Sequence, residues 1–399
     1  MLYRKDRYGN QLSQLGFGCM RFPKTPSGQV DLKKSEDLVL QAHRLGVNYF
    51  DTAYVYNGIE KALGDILSRN PGLREEIHIA TKLPHYLVHS ISQADKFFDT
   101  ELKRLQTDYI DYYLMHMLTD IGSWEKMVDL GIIPWLEGKK RKGQIRQIGF
   151  SFHGSSDAFI KVLNAYDWDF CQIQYNYMDE YSQAGRRGLE AAQAKGIPVI
   201  IMEPLRGGRL VNLLPQQAKD AFAQPKHGEN GTVWSPAEWG LRWLWDQSGV
   251  TVILSGMNTP DMVDENCRIA SQVQPGCLTE EDRDIYQAVK DVVNKSLRVP
   301  CTGCGYCMPC PHGVDIPGIF HAWNAMYTES KKSGRREYMQ LTTMRHKQSG
   351  VSSCVRCGAC EIKCPQSIPI RQKLQEAKKD LETPTYKVVK AGVKLLKMW

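Results

Sequence analysis

Between residue 14 and about residue 257, short apolar runs rich in β-branched side chains recur, separated by stretches whose hydrophobic positions repeat at helical spacing. Such repeats build βα units around a parallel sheet, because strands buried on both faces read as continuous apolar runs and the covering helices carry one apolar stripe each. Eight candidate strands lie at 15–19, 49–52, 77–81, 110–115, 145–151, 170–175, 198–202 and 250–255. Eight units in roughly 250 residues fit an α/β fold of the (β/α)8 TIM-barrel type better than an open doubly wound sheet. Ahead of them, YRKDRYGNQLSQL places a Gly-Asn turn between two short runs and predicts a hairpin closing the bottom of the barrel. No GxGxxG follows any strand; Gly16 and Gly18 lack a third glycine, which argues against a Rossmann domain.

The barrel pattern, 1–280, gives way to a charged helical linker at 281–299, and Pro300 opens a segment of different character over 300–382. It holds CTGCGYCMPCP, with Cys301, Cys304, Cys307 and Cys310, and CVRCGACEIKCP, with Cys354, Cys357, Cys360 and Cys364, eight of the chain's twelve cysteines. The second run has the C-x2-C-x2-C-x3-C-P spacing of bacterial ferredoxins, and Pro311 and Pro365 follow the last cysteine of each run. Zinc also takes Cys-x-x-Cys pairs, but three consecutive x-x spacings exceed its need for four ligands. The segment resembles a two-cluster ferredoxin, in which the fourth cysteine of each run ligates the other cluster. That resemblance implies two four-iron four-sulfur (4Fe–4S) clusters, one on Cys301, Cys304, Cys307 and Cys364 and one on Cys354, Cys357, Cys360 and Cys310. The first run departs from the pattern, with Met308 and Pro309 alone between Cys307 and Cys310. The residues between the runs are helical in character and offer no strand pairs, so a smaller all-helical ferredoxin-like domain is expected.

Hydrophobic content of 42% and charged content of 24% are those of an ordinary globular protein, and no apolar run approaches the roughly 20 residues that span a bilayer. The opening MLYRKDRYGNQL lacks the apolar segment of a secretory signal, so the expected compartment is the cytoplasm, where thiols stay reduced and serve as ligands. A net charge of +7 is modest and points to no nucleic-acid partner. Lys331, Lys332, Arg335 and Arg336 cluster, which suits either an acidic electron-transfer partner or a plain solvated face. The tail, 383–399, sets Lys387, Lys390, Lys394 and Lys397 on one helical face and Val389, Val393, Leu396 and Trp399 on another. It is expected to pack on its own chain or a second copy rather than on a membrane.

Candidate catalytic residues stand at strand ends. Asp51 ends the second strand in FDTAYVYNG, with Tyr56 in the loop beyond; Lys82 closes the third in IATK and His116 the fourth in YYLMH. A TIM barrel gathers such ends at its C-terminal face. In order and context these residues resemble the catalytic set of the aldo-keto reductase family, in the subgroup with a C-terminal ferredoxin-like iron–sulfur domain. The resemblance implies interconversion of a small carbonyl and an alcohol with NADPH or NADH. Tyr56 would give a proton to the carbonyl oxygen, Lys82 would stabilise the phenolate left behind, Asp51 would hold Lys82, and His116 would orient the carbonyl.

The same resemblance puts Ser151 and Gln172 on the nicotinamide amide and Glu265 and Asn266 on the adenine. EPLRGGRL after the seventh strand, with Arg206, Gly207, Gly208 and Arg209, is either a wrap for the pyrophosphate through backbone amides and a guanidinium or a Gly-rich turn with no phosphate role; Glu203, Leu205 and Gly256 are further cofactor candidates. The chain departs at Phe152, where asparagine is usual, at Met202, where an aromatic often stacks, and at Gly256 and Met262, where cations grip a 2′-phosphate. Losing two charge-assisted contacts of about 1.5 to 3 kcal/mol each erases a strong preference for NADPH. Tyr54, Tyr86, Trp124, Tyr175 and Tyr177 are candidates for an aromatic substrate pocket. Two alternatives stay open: an electron-transfer module on a non-catalytic barrel scaffold, and a reductase driven by the clusters or a flavin without nicotinamide.

Overall fold

The computed structural model describes residues 1–224, 231–295, 297–301, 303, 305–344, 349–364 and 366–396. Two antiparallel strands, β1 (Tyr3–Lys5) and β2 (Gln11–Ser13), form the predicted hairpin. Eight parallel strands follow: β3 (Leu15–Gly18), β4 (Tyr49–Asp51), β5 (His78–Leu83), β6 (Ile110–Leu118), β7 (Ile145–Phe152), β8 (Phe170–Gln174), β9 (Val199–Met202) and β10 (Val250–Ser255). They close into a barrel in sequence order, with β10 pairing β3. Each overlaps a run picked out by its apolar content, and the fold class is the one expected.

Closure turns one face of every strand inward. Tyr49, Ala80, Tyr112, Phe170, Ile200 and Val252 fill the interior, and Leu12 of the hairpin packs with them from below. Asp6 in the same hairpin accepts from the Tyr112 hydroxyl at 2.7 Å. The filling is tight enough that Gly149 must stay a glycine, since a Cβ there would lie 2.5 Å from the Phe170 ring. Outside, the helices bury their apolar stripes against the strands in one large core. Asp31, Ser90, Asp120, Ser155, Ser235 and Thr259 cap helix N-termini by accepting backbone N–H groups. Those caps fix where each helix begins, and so how long the loops that carry the site can be.

The helix Glu280–Asn294 starts at a Thr279–Asp282 capping box and fastens to the barrel, Tyr286 donating to the Trp239 carbonyl at 2.7 Å and Lys290 pairing with Glu180 at 2.8 Å. Beyond it the described residues form helices and no strand, chiefly Ile316–Thr328, Lys331–Thr343, Ile370–Leu381 and Pro384–Leu395. A second apolar core, including Ile316, Phe320, Trp323, Ile370 and Leu374, packs against Cys301, Cys307, Cys310, Cys354, Cys360 and Cys364. The last helix docks through Tyr386, whose ring is 5.1 Å from that of Tyr338, while Val388 and Leu395 stay exposed. Cys304, Pro365, Lys397 and Trp399 lie outside the described residues. No helix among the described residues is long and apolar enough to cross a membrane.

Candidate active site and thiol cavities

β4, β5 and β6 are neighbours in the barrel, so their ends bring Asp51, Lys82 and His116 together. Lys82 Nζ donates to Asp51 Oδ1 and to the Thr52 carbonyl, each at 2.6 Å, with all of these groups buried. Tyr56 enters from the loop before the helix Ile59–Arg69; its ring centroid is 5.4 Å from Lys82 Nζ and 6.1 Å from the His116 ring, edge-on. Burial, followed by the Asp51 and Glu203 carboxylates, pushes the Tyr56 phenol well above its ordinary pKa. Because Asp51 sits 2.6 Å from Lys82, the ammonium offers the resting phenol little net positive charge. Burial and then Lys82 pull His116 well below the usual imidazole range, which leaves the ring neutral, and among the described residues its Nδ1 has no hydrogen-bond partner. A phenol that keeps its proton beside a buried cation and a neutral imidazole is equipped to protonate an oxygen that turns negative.

Ser151 and Gln172 sit at matching register on β7 and β8. Ser151 Oγ accepts from the Met117 N–H at 2.8 Å, and Gln172 Nε2 donates to Asp51 Oδ2 at 2.9 Å, so Gln172 also steadies the Asp51–Lys82 pair. Asn266 donates to Ser255 Oγ at 2.9 Å and Glu265 accepts from Ser235 Oγ at 2.6 Å, both flanking the end of β10. Sequence reasoning missed Arg21. A Cβ on Gly256 would lie 2.4 Å from Arg21 Cγ, and one on Gly207 would lie 2.5 Å from its guanidinium. Two glycines therefore cradle a cation between the loops after β3, β9 and β10. In the sequence Arg21 was one solvated arginine among many.

Arg206, expected on the pyrophosphate, has other partners: its Nε donates to Asp179 Oδ2 at 2.7 Å, and it pairs with Glu329 of the helical domain. Asp179 is fully buried and needs that countercharge. The Leu205 side chain packs over Gly240, leaving its backbone to the loop. Of the candidate pocket aromatics, Tyr86 comes within 6.4 Å of the His116 ring. Trp124 packs instead on Trp168, Tyr175 on Trp243, Tyr177 against Tyr286, and Tyr54 under Arg104. These four belong to the packing between barrel and helices, where Trp124, Tyr175 and Tyr177 are buried and Tyr54 is half-buried.

In the helical domain two cavities divide the thiols. One is lined by Cys307, Cys310, Cys354, Cys357 and Cys360, the other by Cys301, Cys307 and Cys364. Apart from Cys307, which borders both, the described cysteines separate as a crossed ferredoxin pairing would have them. Ile316, Phe320, Ile368 and Ile370 wall the second cavity, an apolar setting suited to thiolate-ligated clusters.

A polar seam joins the domains. His321 Nε2 lies 2.6 Å from Asp179 Oδ1, His321 Nδ1 meets Glu337, and Arg209 pairs with Glu329 at 3.0 Å. Burial opposes a charge on His321, but Glu337 and Asp179 outweigh it and raise the imidazole to about 10, with Arg206 opposing. A pKa raised on folding contributes stability that is complete below the unfolded value of about 6.5 and is lost as pH climbs through the folded one. The domain contact should therefore weaken between about pH 6.5 and 10. Thermal melts across that window are expected to show the transition of the helical domain falling, with His321→Gln removing most of the slope; an unchanged slope in the variant would assign it elsewhere.

Barrel, strand-end tetrad and thiol cavities together define a (β/α)8 oxidoreductase joined to an iron–sulfur domain. Residues 14–275 match the model of the Aldo/keto reductase family and residues 300–368 that of a 4Fe-4S dicluster domain; the chain belongs to the aldo/keto reductase family, and its second match implies two clusters. It is 28% identical to an L-galactose dehydrogenase of Arabidopsis thaliana over 73% of this chain and 94% of that one. It is 26% identical to an NADH-specific methylglyoxal reductase of Escherichia coli (strain K12) over 64% and 89%. Among solved structures it resembles the holo form of an aldo-keto reductase from Bacillus halodurans, with TM-score 0.58, 25% identity and coverage of 72% of this chain and 96% of that one.

Proposed function

We propose that this protein reduces a small carbonyl compound with NADH or NADPH, Tyr56 donating the proton, and that its clusters exchange electrons with that chemistry. The observation carrying the reading is the Tyr56 phenol, held protonated by burial and carboxylates, on a ring whose centroid is 5.4 Å from the ammonium of a lysine that is itself paired. Bound nicotinamide supplies the hydride. The carbonyl oxygen then takes its proton from Tyr56, Lys82 stabilises the phenolate formed, and the unpartnered Nδ1 of neutral His116 is free to orient the substrate. A phenol with a raised pKa serves reduction better than oxidation, which needs the phenolate as base. Ser151 and Gln172 take the nicotinamide amide, Glu265 and Asn266 the adenine, and the Arg21 cradle with the backbone at Leu205 and Gly207 takes the pyrophosphate. The relatives named for methylglyoxal and L-galactose support a small oxygenated substrate. Cys301, Cys304, Cys307 and Cys364 hold one cluster, and Cys354, Cys357, Cys360 and Cys310 the other.

The outer cluster face also suits an acidic one-electron carrier. Cys357 is exposed there, Ile362 is 90% exposed, and Arg356 and Lys363 are exposed cations beside them. The test is an anaerobic titration of iron-loaded protein with NADPH and NADH, following cluster absorbance. Both nicotinamides are expected to bind with affinities within about tenfold of each other and to bleach the clusters. Binding without bleaching, with dithionite still reducing the clusters, would refute the coupling; no binding by either would refute the nicotinamide reading.

A further inference from the structure

The loop after β9 is strained and is held from outside the barrel. Glu203 and Arg206 adopt left-handed backbone at φ 53° and 48°, followed by Gly207 and Gly208 at 62° and 88°. A non-glycine residue there is strained and persists where its surroundings over-determine it. The restraints are visible. Asn176 Nδ2 donates to the Glu203 carbonyl at 3.3 Å and to Asp179 at 2.8 Å; Asp179 holds Arg206; and Glu329 holds both Arg206 and Arg209. Glu329 is 7% exposed and is the N-terminal neighbour of Ser330, which caps the helix Lys331–Thr343. The guanidinium of Arg206 is thus bracketed by a barrel carboxylate and a cluster-domain carboxylate, with His321 on the same Asp179.

This loop carries Gly207, one half of the Arg21 cradle, and Glu203, whose charge bears on Tyr56. Moving Arg206 by one rotamer would therefore move the surface read above as the pyrophosphate grip. The cluster domain lies directly behind: Cys301 and Gly303 line the same cleft of about 110 Å³ as Arg206, His321 and Glu329.

We propose that Glu329 and His321 are positioning residues which reach across from the cluster domain and set the barrel's cofactor loop, so that affinity for the nicotinamide cofactor depends on the docked cluster domain. The inference rests on the reading of that loop as the pyrophosphate grip. The covalent chemistry is unaffected; what changes is the population of the binding-competent loop.

The experiment compares wild type, Glu329→Gln and Glu329→Asp, each checked for full iron content and an unchanged cluster spectrum. Kd for NADPH and NADH is measured by fluorescence, and steady-state kinetics are run with methylglyoxal. Glu329→Gln is expected to weaken nicotinamide binding about tenfold or more, with the loss concentrated in cofactor Kd and KM rather than in carbonyl KM, and Glu329→Asp to recover part of it. A merely structural role would lower kcat and raise both KM terms together, or lower the iron content. Should Glu329→Gln lose iron, Arg206→Gln, which breaks the same ion pair from the barrel side, gives the same reading. Wild-type affinity in the iron-complete variant would overturn the inference while leaving the proposed function standing; no nicotinamide binding by wild type would overturn both.

Discussion

Tyr56→Phe is expected to cut kcat for carbonyl reduction by about 10²- to 10⁴-fold, the usual worth of a positioned general acid. Iron content and cofactor Kd should hardly change. Removing the hydroxyl breaks no hydrogen bond seen among the described residues, and the ring keeps its edge contact with His116 at 6.1 Å. The loss should therefore fall on the chemical step and be the same at every carbonyl concentration. Lys82→Met should cost as much or more for a different reason. It strips Asp51 of the ammonium at 2.6 Å and leaves a buried carboxylate facing the phenol, so the negative charge that forms on Tyr56 is repelled instead of stabilised. Single-turnover measurements with prebound NADPH separate the two from binding defects. Wild-type turnover in Tyr56→Phe would show that the barrel is a scaffold and the clusters are the function.

The two variants also bear on how much of this protein was readable beforehand. The strands were legible because a parallel barrel buries both strand faces, which leaves apolar runs such as Tyr112 to Met115 and Val252 to Leu254. The tetrad was legible because a polar residue ending an apolar run is conspicuous, as Asp51, Lys82 and His116 are. The candidate pocket aromatics were not. Whether Trp124 or Tyr177 faces the cavity or the helix layer depends on loop paths that leave no period in the sequence. The seam was least legible. Asp179, Arg206, His321 and Glu329 come from four separate segments, and their partnership exists only once the helical domain has docked. Arg206 consequently read as a phosphate ligand, since a Gly-rich loop with an arginine looks alike whether its charge faces an anion or a buried aspartate. Arg21 shows the reverse: an unremarkable residue made distinctive by Gly207 and Gly256 closing around it.

Removing iron is expected to unfold the helical domain and leave the barrel standing. The C-terminal unit has fewer than about 100 residues, a size at which apolar burial alone is marginal. Among the described residues of its two cysteine segments, Ala359–Ile362 is the one helical turn, so their backbone is fixed chiefly by what the thiols hold. Where a site forms only in the folded chain, metal-binding free energy is folding free energy. The barrel has a separate core from residue 15 to residue 289 and owes the clusters nothing directly. Chelation under reducing conditions should therefore abolish one of two thermal transitions and lower helical circular dichroism without a matching loss of the barrel's transition. Single substitutions sharpen the claim: Cys310→Ser and Cys364→Ser each sit in a different cavity, so each should lose one cluster and keep the other, halving the iron. Full iron in either variant would remove that cysteine from the ligand set. If the domain melts, Glu329 and His321 leave Arg206 and Asp179 as well, so iron-free protein should bind nicotinamide no better than Glu329→Gln does.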